Sequence, residues 1–156
     1  MPNTAQSIFI DAPVGEVFEF VADYRNIVRF EKHFSKVERQ PGPAYGTGMV
    51  LDCRGRFRGV PVRVKLRVIE FVENRRIVSQ SIAGLKSLLE WDFSEEDGGT
   101  RAKLFANYGW PFPLIPKHLK DSIREEIDEM TADSLRELKR LIEAKRVKPQ
   151  IAEQVE

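Results

Sequence analysis

Residues 7–30 constrain the fold more than any other segment, because a strand pattern changes there to a helical pattern. Residues 7–10 are predicted to form a strand. Pro13 then predicts the first turn of a helix, since proline has a fixed φ and its missing N–H is not needed at that position. The helix has an apolar stripe at positions i, i+3, i+4 and i+7, formed by Val14, Val17, Phe18 and Val21. Residues 23–26 break the helix and residues 27–30 resume it, so two short helices are predicted after the first strand.

Residues 34–110 have the alternating apolar and polar pattern of strands. Loops or turns are predicted where prolines and glycines interrupt this pattern, at residues 41–48, 59–61 and 95–99. In the clearest strand the alternation changes phase near Val68, which predicts a β-bulge that bends the strand. The predicted strands of this region are 34–40, 49–57, 62–68, 76–82, 86–94 and 100–110.

A long amphipathic helix is predicted from about Pro116 to Arg146. Its apolar stripe consists of Ile123, Ile127, Met130, Leu135, Leu138, Leu141 and Ile142. Acidic residues are concentrated in its early turns and basic residues in its last turns, an arrangement that the helix macrodipole stabilises. The polar tail at residues 147–156 is expected to be flexible. A chain of 156 residues is too short for two ordinary domains, so residues 5–146 are predicted to form one domain.

Three stretches of the chain carry a resemblance to a known superfamily. They are the opening Ile10-Asp11-Ala12-Pro13 with the apolar stripe that follows it, the hairpin from Trp91-Asp92-Phe93 to Gly98-Gly99-Thr100-Arg101, and the helix after Pro116. In this order they resemble the START and birch-pollen-allergen-like (SRPBCC) superfamily, and within it the bacterial polyketide cyclase/dehydrase and lipid-transport group. The resemblance implies an α+β helix-grip fold. In this fold a curved seven-stranded antiparallel sheet wraps around the long C-terminal helix, and two short helices follow the first strand.

The resemblance also implies a hydrophobic cavity, because one helix cannot seal a curved sheet along its whole length. The residues expected around the cavity are Tyr24, Phe30, Phe57, Leu66, Trp91, Leu104, Tyr108, Ile123, Ile127 and Met130. Each of these side chains is also compatible with a packed core. Small residues on or near the inward rows leave volume unfilled, namely Cys53, Gly84, Ala102 and Ala106. A mostly apolar pocket with a few polar tips can bind an apolar ligand and orient it by hydrogen bonds.

The sequence has few candidates for catalysis. Its histidines, His33 and His118, are far apart and have no metal-ligand spacing, so no metal site is predicted. Cys53 falls on the apolar side of its strand and is interpreted as a buried thiol rather than a nucleophile. His33 follows the second short helix, near the expected mouth of the cavity, and is added to the predicted ligand-binding residues. There an imidazole can transfer protons or hydrogen-bond a ligand carbonyl, and a surface histidine is the alternative.

Basic residues are concentrated on the outward side of two neighbouring strands, although the formal net charge of the chain is only +1. They are Arg54, Arg56, Arg58, Arg63, Lys65 and Arg67. Such a surface can bind an anionic membrane or an acidic partner protein, and a solvated outer face that protects the sheet is the alternative. Because no aromatic residues alternate with these charges, nucleic acid is an improbable partner.

The leading hypothesis is therefore a protein that binds or transports a small hydrophobic ligand, such as a lipid, a quinone-like or a polyketide-like molecule. Two alternatives stay open, a polyketide aromatase/cyclase or dehydratase and a non-catalytic interaction module that uses the basic strands. The sequence predicts no catalytic residue, metal or cofactor, and it leaves the oligomeric state open. A lone cysteine and the absence of a signal-like segment before Ser7 predict a cytoplasmic protein.

Overall fold

The computed structural model describes residues 3–42, 45–110 and 114–155, with side chains as far as residue 146. Its strands are β1 (Asn3–Ile10), β2 (Phe34–Arg39), β3 (Val50–Phe57), β4 (Val60–Val72), β5 (Arg76–Gly84), β6 (Ser87–Glu96) and β7 (Gly99–Tyr108). Its helices are α1 (Val14–Ala22), α2 (Ile27–Phe30) and α3 (Lys117–Val155), with a 3-10 turn at Tyr24–Asn26 between the first two. The predicted α+β order of elements is confirmed.

The strands form one antiparallel sheet in the order β1-β7-β6-β5-β4-β3-β2. Because β1 and β2 are the two edges, the short helices between them carry the chain from one edge of the sheet to the other. The long helix α3 is tied to β1 by side-chain hydrogen bonds. Lys139 Nζ donates to the Phe9 carbonyl at 2.8 Å, and Gln6 Nε2 donates to the Asp128 carbonyl at 2.6 Å. The predicted helix-grip arrangement is confirmed.

Irregularities in β3 and β4 bend the sheet toward the helices. The register of β4 against β5 shifts between Val68 and Glu70, which confirms the predicted bulge, and it shifts again between Lys65 and Leu66. On β3, a Cβ at Gly55 would lie 1.9 Å from the His33 carbonyl oxygen. Only glycine therefore lets the loop after α2 pass this closely over β3.

Several predicted boundaries were wrong. The turn between β3 and β4 is the two-residue loop Arg58–Gly59, in which both residues have positive φ, so β4 begins at Val60 and not at Val62. The last strand ends at Tyr108 rather than at residue 110. Helix α3 continues to Val155, well beyond the predicted end at Arg146. The side chains of residues 147–156 lie outside the described part of the chain, so the flexibility expected for this segment stays a prediction.

Candidate ligand cavity

A cavity lies between the concave face of the sheet, the loop after α2 and the middle of α3. It consists of an inner chamber of about 110 Å³ and an outer chamber of about 100 Å³. The chambers adjoin, because they share five lining residues, Glu31, Phe34, Val62, Leu85 and Tyr108. Sites for drug-sized ligands usually measure about 300–1,000 Å³, whereas a cavity of about 150 Å³ accepts a benzene ring. In the described conformation, each chamber is therefore of the size of a single small ring.

Aromatic rings build the wall of the inner chamber. The Phe30 ring meets the Trp91 ring edge to face at 6.2 Å, and Trp91 stacks on Phe93 at 5.9 Å. Phe93 in turn meets Phe18 of α1 at 5.6 Å, and these two rings support the wall without lining the chamber themselves. These contacts fix the rings against one another, because edge-to-face and stacked pairs add to the stability that their burial provides. The result is a firm apolar wall.

The outer chamber is bounded by α3 on one side and by the β3–β4 hairpin on the other. Ile127 and Met130 line it from α3, and Phe57 lines it from β3. An ion pair spans these two elements, because Arg58 Nε lies 2.6 Å from Glu126 Oε2, and the same guanidinium donates to Ser122 Oγ at 3.2 Å. Arg58, Glu126 and Ser122, hereafter the latch, therefore hold the hairpin turn against α3.

Arg58 corrects a sequence prediction, because it does not lie with the other basic residues on the outer face of the sheet. The positive φ of 51° at this turn residue directs its side chain toward α3. Alternation applies only while the backbone is extended, and Arg58 lies just after β3 ends.

The structure places ten of the eleven predicted binding residues on the cavity wall. The inner chamber has Tyr24, Phe30, Leu66, Trp91 and Leu104, the outer chamber has His33, Phe57, Ile127 and Met130, and Tyr108 lines both. Ile123 is the exception, since it is completely buried but lines neither chamber. The apolar stripe of α3 is longer than the cavity, so helical periodicity identified its buried face but not the part that faces open space. Contact of these residues with a ligand stays a prediction.

Sequence reasoning missed Glu31, which lines both chambers. Its backbone N–H donates to the Ile27 carbonyl and ends α2. Part of the residue reaches the surface, but its carboxyl group is enclosed, and burial raises its pKa to about 7 against an opposing hydrogen bond with Ser134. Helical spacing could have identified Glu31 as a cavity residue. Glu31 follows Ile27 by four positions and therefore lies on the same side as this cavity residue.

Tyr108 is the second polar residue that both chambers share. Burial, and then the nearby Glu31 carboxylate, raise the pKa of the Tyr108 phenol, so its hydroxyl keeps its proton. This hydroxyl makes no hydrogen bond to any residue in the described part of the chain. It is available to a bound molecule.

The sequence analysis also considered His33, Cys53 and His118 for chemistry, and the structure places these three residues in different surroundings. His33 lines the outer chamber, where burial lowers its pKa and the nearby Glu126 and Asp133 carboxylates oppose that change. Cys53 lines the inner chamber, and burial raises its pKa to about 12, so it is a thiol and not a nucleophile. His118 is exposed at the start of α3.

The outer face of β3 and β4 keeps five of the six predicted basic residues. Arg54 lies directly opposite Arg63, as expected for like charges on paired strands. Asp52 lies between them, 2.8 Å from the Arg63 guanidinium and 4.0 Å from that of Arg54. The hydrogen bond from Arg63 lowers the pKa of Asp52, so this carboxylate stays ionised and offsets part of the repulsion. Lys65 and Arg67 make no ion pair with another described residue.

These elements define the class of fold, a curved seven-stranded antiparallel sheet around a long C-terminal helix. Residues 1–143 match the family model described as polyketide cyclase/dehydrase and lipid transport, so the chain belongs to that family. No curated protein matches the chain in sequence. None of the helices in the described residues is both long and apolar enough to cross a membrane.

Solved structures share the fold at low sequence identity. The protein TTHA0849 from Thermus thermophilus is 20% identical and has a TM-score of 0.80, over 92% of this chain and 98% of the other. The Zhui aromatase/cyclase from a Streptomyces species is 16% identical at a TM-score of 0.75, over 90% and 93% of the two chains. A START superfamily protein from Mycobacterium smegmatis is 11% identical at 0.71, over 90% and 99%. These similarities extend the fold assignment and leave the ligand open.

Proposed function

We propose that this protein binds and carries a small hydrophobic ligand, such as a lipid, a quinone-like or a polyketide-like molecule, in the two-chamber cavity. The main support is the inner chamber, whose apolar wall includes the rings of Phe30 and Trp91, with the Phe93 ring stacked on Trp91 outside the lining. Burying about 300 Å² of apolar ligand surface across the two chambers is worth roughly 7 kcal/mol before the entropic costs of association. Non-covalent burial is then the whole mechanism. A cytoplasmic location stays a prediction.

The size of the chambers restricts this ligand. An extended lipid chain exceeds the space of either chamber, so it requires the hairpin and α3 to move apart. The latch is the contact that such a movement breaks, and it is an exposed ion pair that contributes little to stability. A compact ring compound requires less movement.

Tryptophan fluorescence tests the proposal, because Trp91 lines the inner chamber and Trp110 lies outside both chambers. Trp110→Phe removes the second emitter, and a panel of fatty acids, naphthoquinones and aromatic polyketide mimics is titrated into this variant. We expect Trp91 emission to change and saturate with at least one of these classes. Native mass spectrometry of the purified protein identifies any molecule that co-purifies. Unchanged emission across the whole panel contradicts ligand binding in the inner chamber.

A second candidate function is an aromatase/cyclase or dehydratase. Glu31 favours it, because a carboxyl group with a pKa near 7 beside a cavity can give and accept protons at neutral pH. If so, Glu31 rather than His33 is the general acid or base. Turnover of a cyclisable polyketide mimic is then expected to fall by about 10²–10⁴-fold in Glu31→Gln. Equal turnover by the variant and the wild type rejects this role for Glu31.

The third proposal concerns the basic outer face, which we infer docks on an anionic membrane. Arg56 links this face to the cavity, because it belongs to the basic strands and also lines the outer chamber. Docking through these strands would therefore bring the outer chamber close to the bilayer. Each basic residue near an anionic surface contributes about 1 kcal/mol. We therefore expect the double variant Lys65→Glu, Arg67→Glu to lose co-sedimentation with phosphatidylserine vesicles, whereas Arg136→Glu on α3 retains it. Equal sedimentation of both variants contradicts this use of the face.

A further inference from the structure

Among the residues that the structure describes, Glu31 and Tyr108 are the only ionisable ones that line both chambers. They therefore lie where the two chambers meet, in a wall that is otherwise almost entirely apolar. We call this pair the polar junction. A ligand that occupies both chambers must pass it.

The two fully buried side-chain hydroxyl groups among the described cavity residues are already occupied, whereas Tyr24 and Ser79, which line only the inner chamber, are half-buried like Tyr108. Ser87 Oγ donates to the Leu85 carbonyl at 3.0 Å, and Thr131 Oγ1 donates to the Ile127 carbonyl at 2.8 Å. The Tyr108 hydroxyl makes no such bond to any residue in the described ranges. Burial of a polar group without a partner costs free energy, so this donor gains most when a ligand supplies an acceptor.

Glu31 supplies a second donor at the same position when its carboxyl group is protonated. A neutral carboxyl group has one O–H donor. Ser134, from α3, contacts the carboxyl group, and Tyr108 approaches it from β7. The charged or titratable side chains of the surface pocket that Ser134 also lines are Lys32, His33, Asp133, Arg136, Glu137 and Arg140. None of them makes an ion pair with Glu31, so the enclosed carboxyl group has no fixed counter-ion.

We propose that Glu31 and Tyr108 both donate hydrogen bonds to one carbonyl-type oxygen of the bound ligand, so the ligand class is an apolar ring compound that carries a ketone or quinone oxygen. This inference rests on the proposed ligand-binding function. The aromatic wall of the inner chamber receives the ring, and the polar junction fixes the oxygen between the chambers. A cationic amine is less suitable, because it requires a charged carboxylate in an apolar enclosure.

Three single-ring probes distinguish these chemistries, since they share one benzene ring and differ only in the polar group. They are acetophenone, its near-isostere α-methylstyrene, in which a CH₂ group replaces the carbonyl oxygen, and 1-phenylethylamine. Titration calorimetry of the full chain at pH 6 gives their dissociation constants. We expect the ketone to bind at least about tenfold more tightly than the alkene, the effect of two modest hydrogen bonds.

Variants assign this preference to the polar junction. Tyr108→Phe is expected to weaken ketone binding about fivefold and leave alkene binding unchanged. Glu31→Leu has the same expected effect, whereas Glu31→Gln, which keeps an N–H donor, retains most of the preference. Tyr45→Phe is the matched control, because Tyr45 is exposed and lines neither chamber.

The outcomes separate this inference from the proposed function. Equal binding of ketone and alkene, or an unchanged preference in Tyr108→Phe, overturns the inference and leaves the hydrophobic cavity intact. If the amine binds more tightly than the ketone and Glu31→Gln abolishes this preference, the inference is overturned in favour of a cationic ligand. If none of the probes and none of the lipophilic panel binds the wild-type protein, the proposed function itself fails. Should Glu31→Leu not fold, the probe comparison and Tyr108→Phe still decide.

Discussion

The inner and outer chambers adjoin but are built in different ways. The wall of the inner chamber includes the rings of Phe30 from α2 and Trp91 from β6, and the rings of Phe93 and Phe18 pack next to them outside the lining. The outer chamber lies between α3 and the β3–β4 hairpin, whose turn the latch holds to α3. Apolar packing is dense and costly to disturb, whereas an exposed ion pair breaks easily. We infer that the inner chamber provides affinity and fold stability, and that the outer chamber controls access.

Truncation of the inner wall should have the largest effect. Phe30 is 2% exposed and contacts both Phe20 and Trp91, so Phe30→Ala is expected to lower the free energy of unfolding by about 3–5 kcal/mol. Met130→Ala, in the outer wall, is the matched comparison and should cost only about 1 kcal/mol, because that side chain is partly exposed. Urea unfolding measures both. Similar losses at the two sites would contradict the difference between the chambers.

Glu31 should make stability depend on pH. Its pKa in the folded protein is about 7, above the value of 4.5 expected in the unfolded chain. Between these values the folded state holds more protons than the unfolded state, so stability falls as the pH rises from about 4.5 to 7. The free energy of unfolding of Glu31→Gln minus that of the wild type should therefore be about 1–3 kcal/mol more positive at pH 8 than at pH 4.5.

Urea unfolding of both proteins across this pH range measures the Glu31 contribution. Glu125→Gln on α3 serves as the control, because Glu125 is exposed and lies outside both chambers. Parallel stability profiles for Glu31→Gln and the wild type would show that the carboxyl group at the polar junction is solvated.

The latch should have the smallest effect on stability. Arg58 and Glu126 are about one third exposed, so Arg58→Ala is expected to cost less than about 1 kcal/mol in unfolding free energy. Ligand exchange should nevertheless become several-fold faster in stopped-flow fluorescence, because the hairpin is released from α3. The ion pair of Arg136 with Asp133, also on α3, provides the control variant Arg136→Ala. If both variants exchange ligand at the wild-type rate, the latch does not control access.

The order of elements followed from the sequence because it depends on local periodicity. Alternation identified the inward rows of the sheet, including Trp91 and Leu104, and the phase change near Val68 identified a bulge. The boundaries were less certain where the backbone leaves a regular conformation. The sequence predicted a turn at residues 59–61, but the turn is formed by Arg58 and Gly59, which both have positive φ. The side chain of Arg58 therefore points toward α3 and not to the outer face of the sheet.

The sequence by itself determined the order of strands and helices, because side-chain periods of two and about 3.6 residues assign each segment its apolar face, and the resemblance to helix-grip proteins implied their arrangement as a curved antiparallel sheet around one helix. Only the tertiary structure decided where that apolar surface stays unfilled. Ile123 and Ile127 belong to one stripe, but only Ile127 lines the cavity, because only its turn of α3 lies beside open space. The polar junction likewise required the fold. Glu31 and Tyr108 are distant in sequence, and the pKa of a carboxyl group depends on what surrounds it in space.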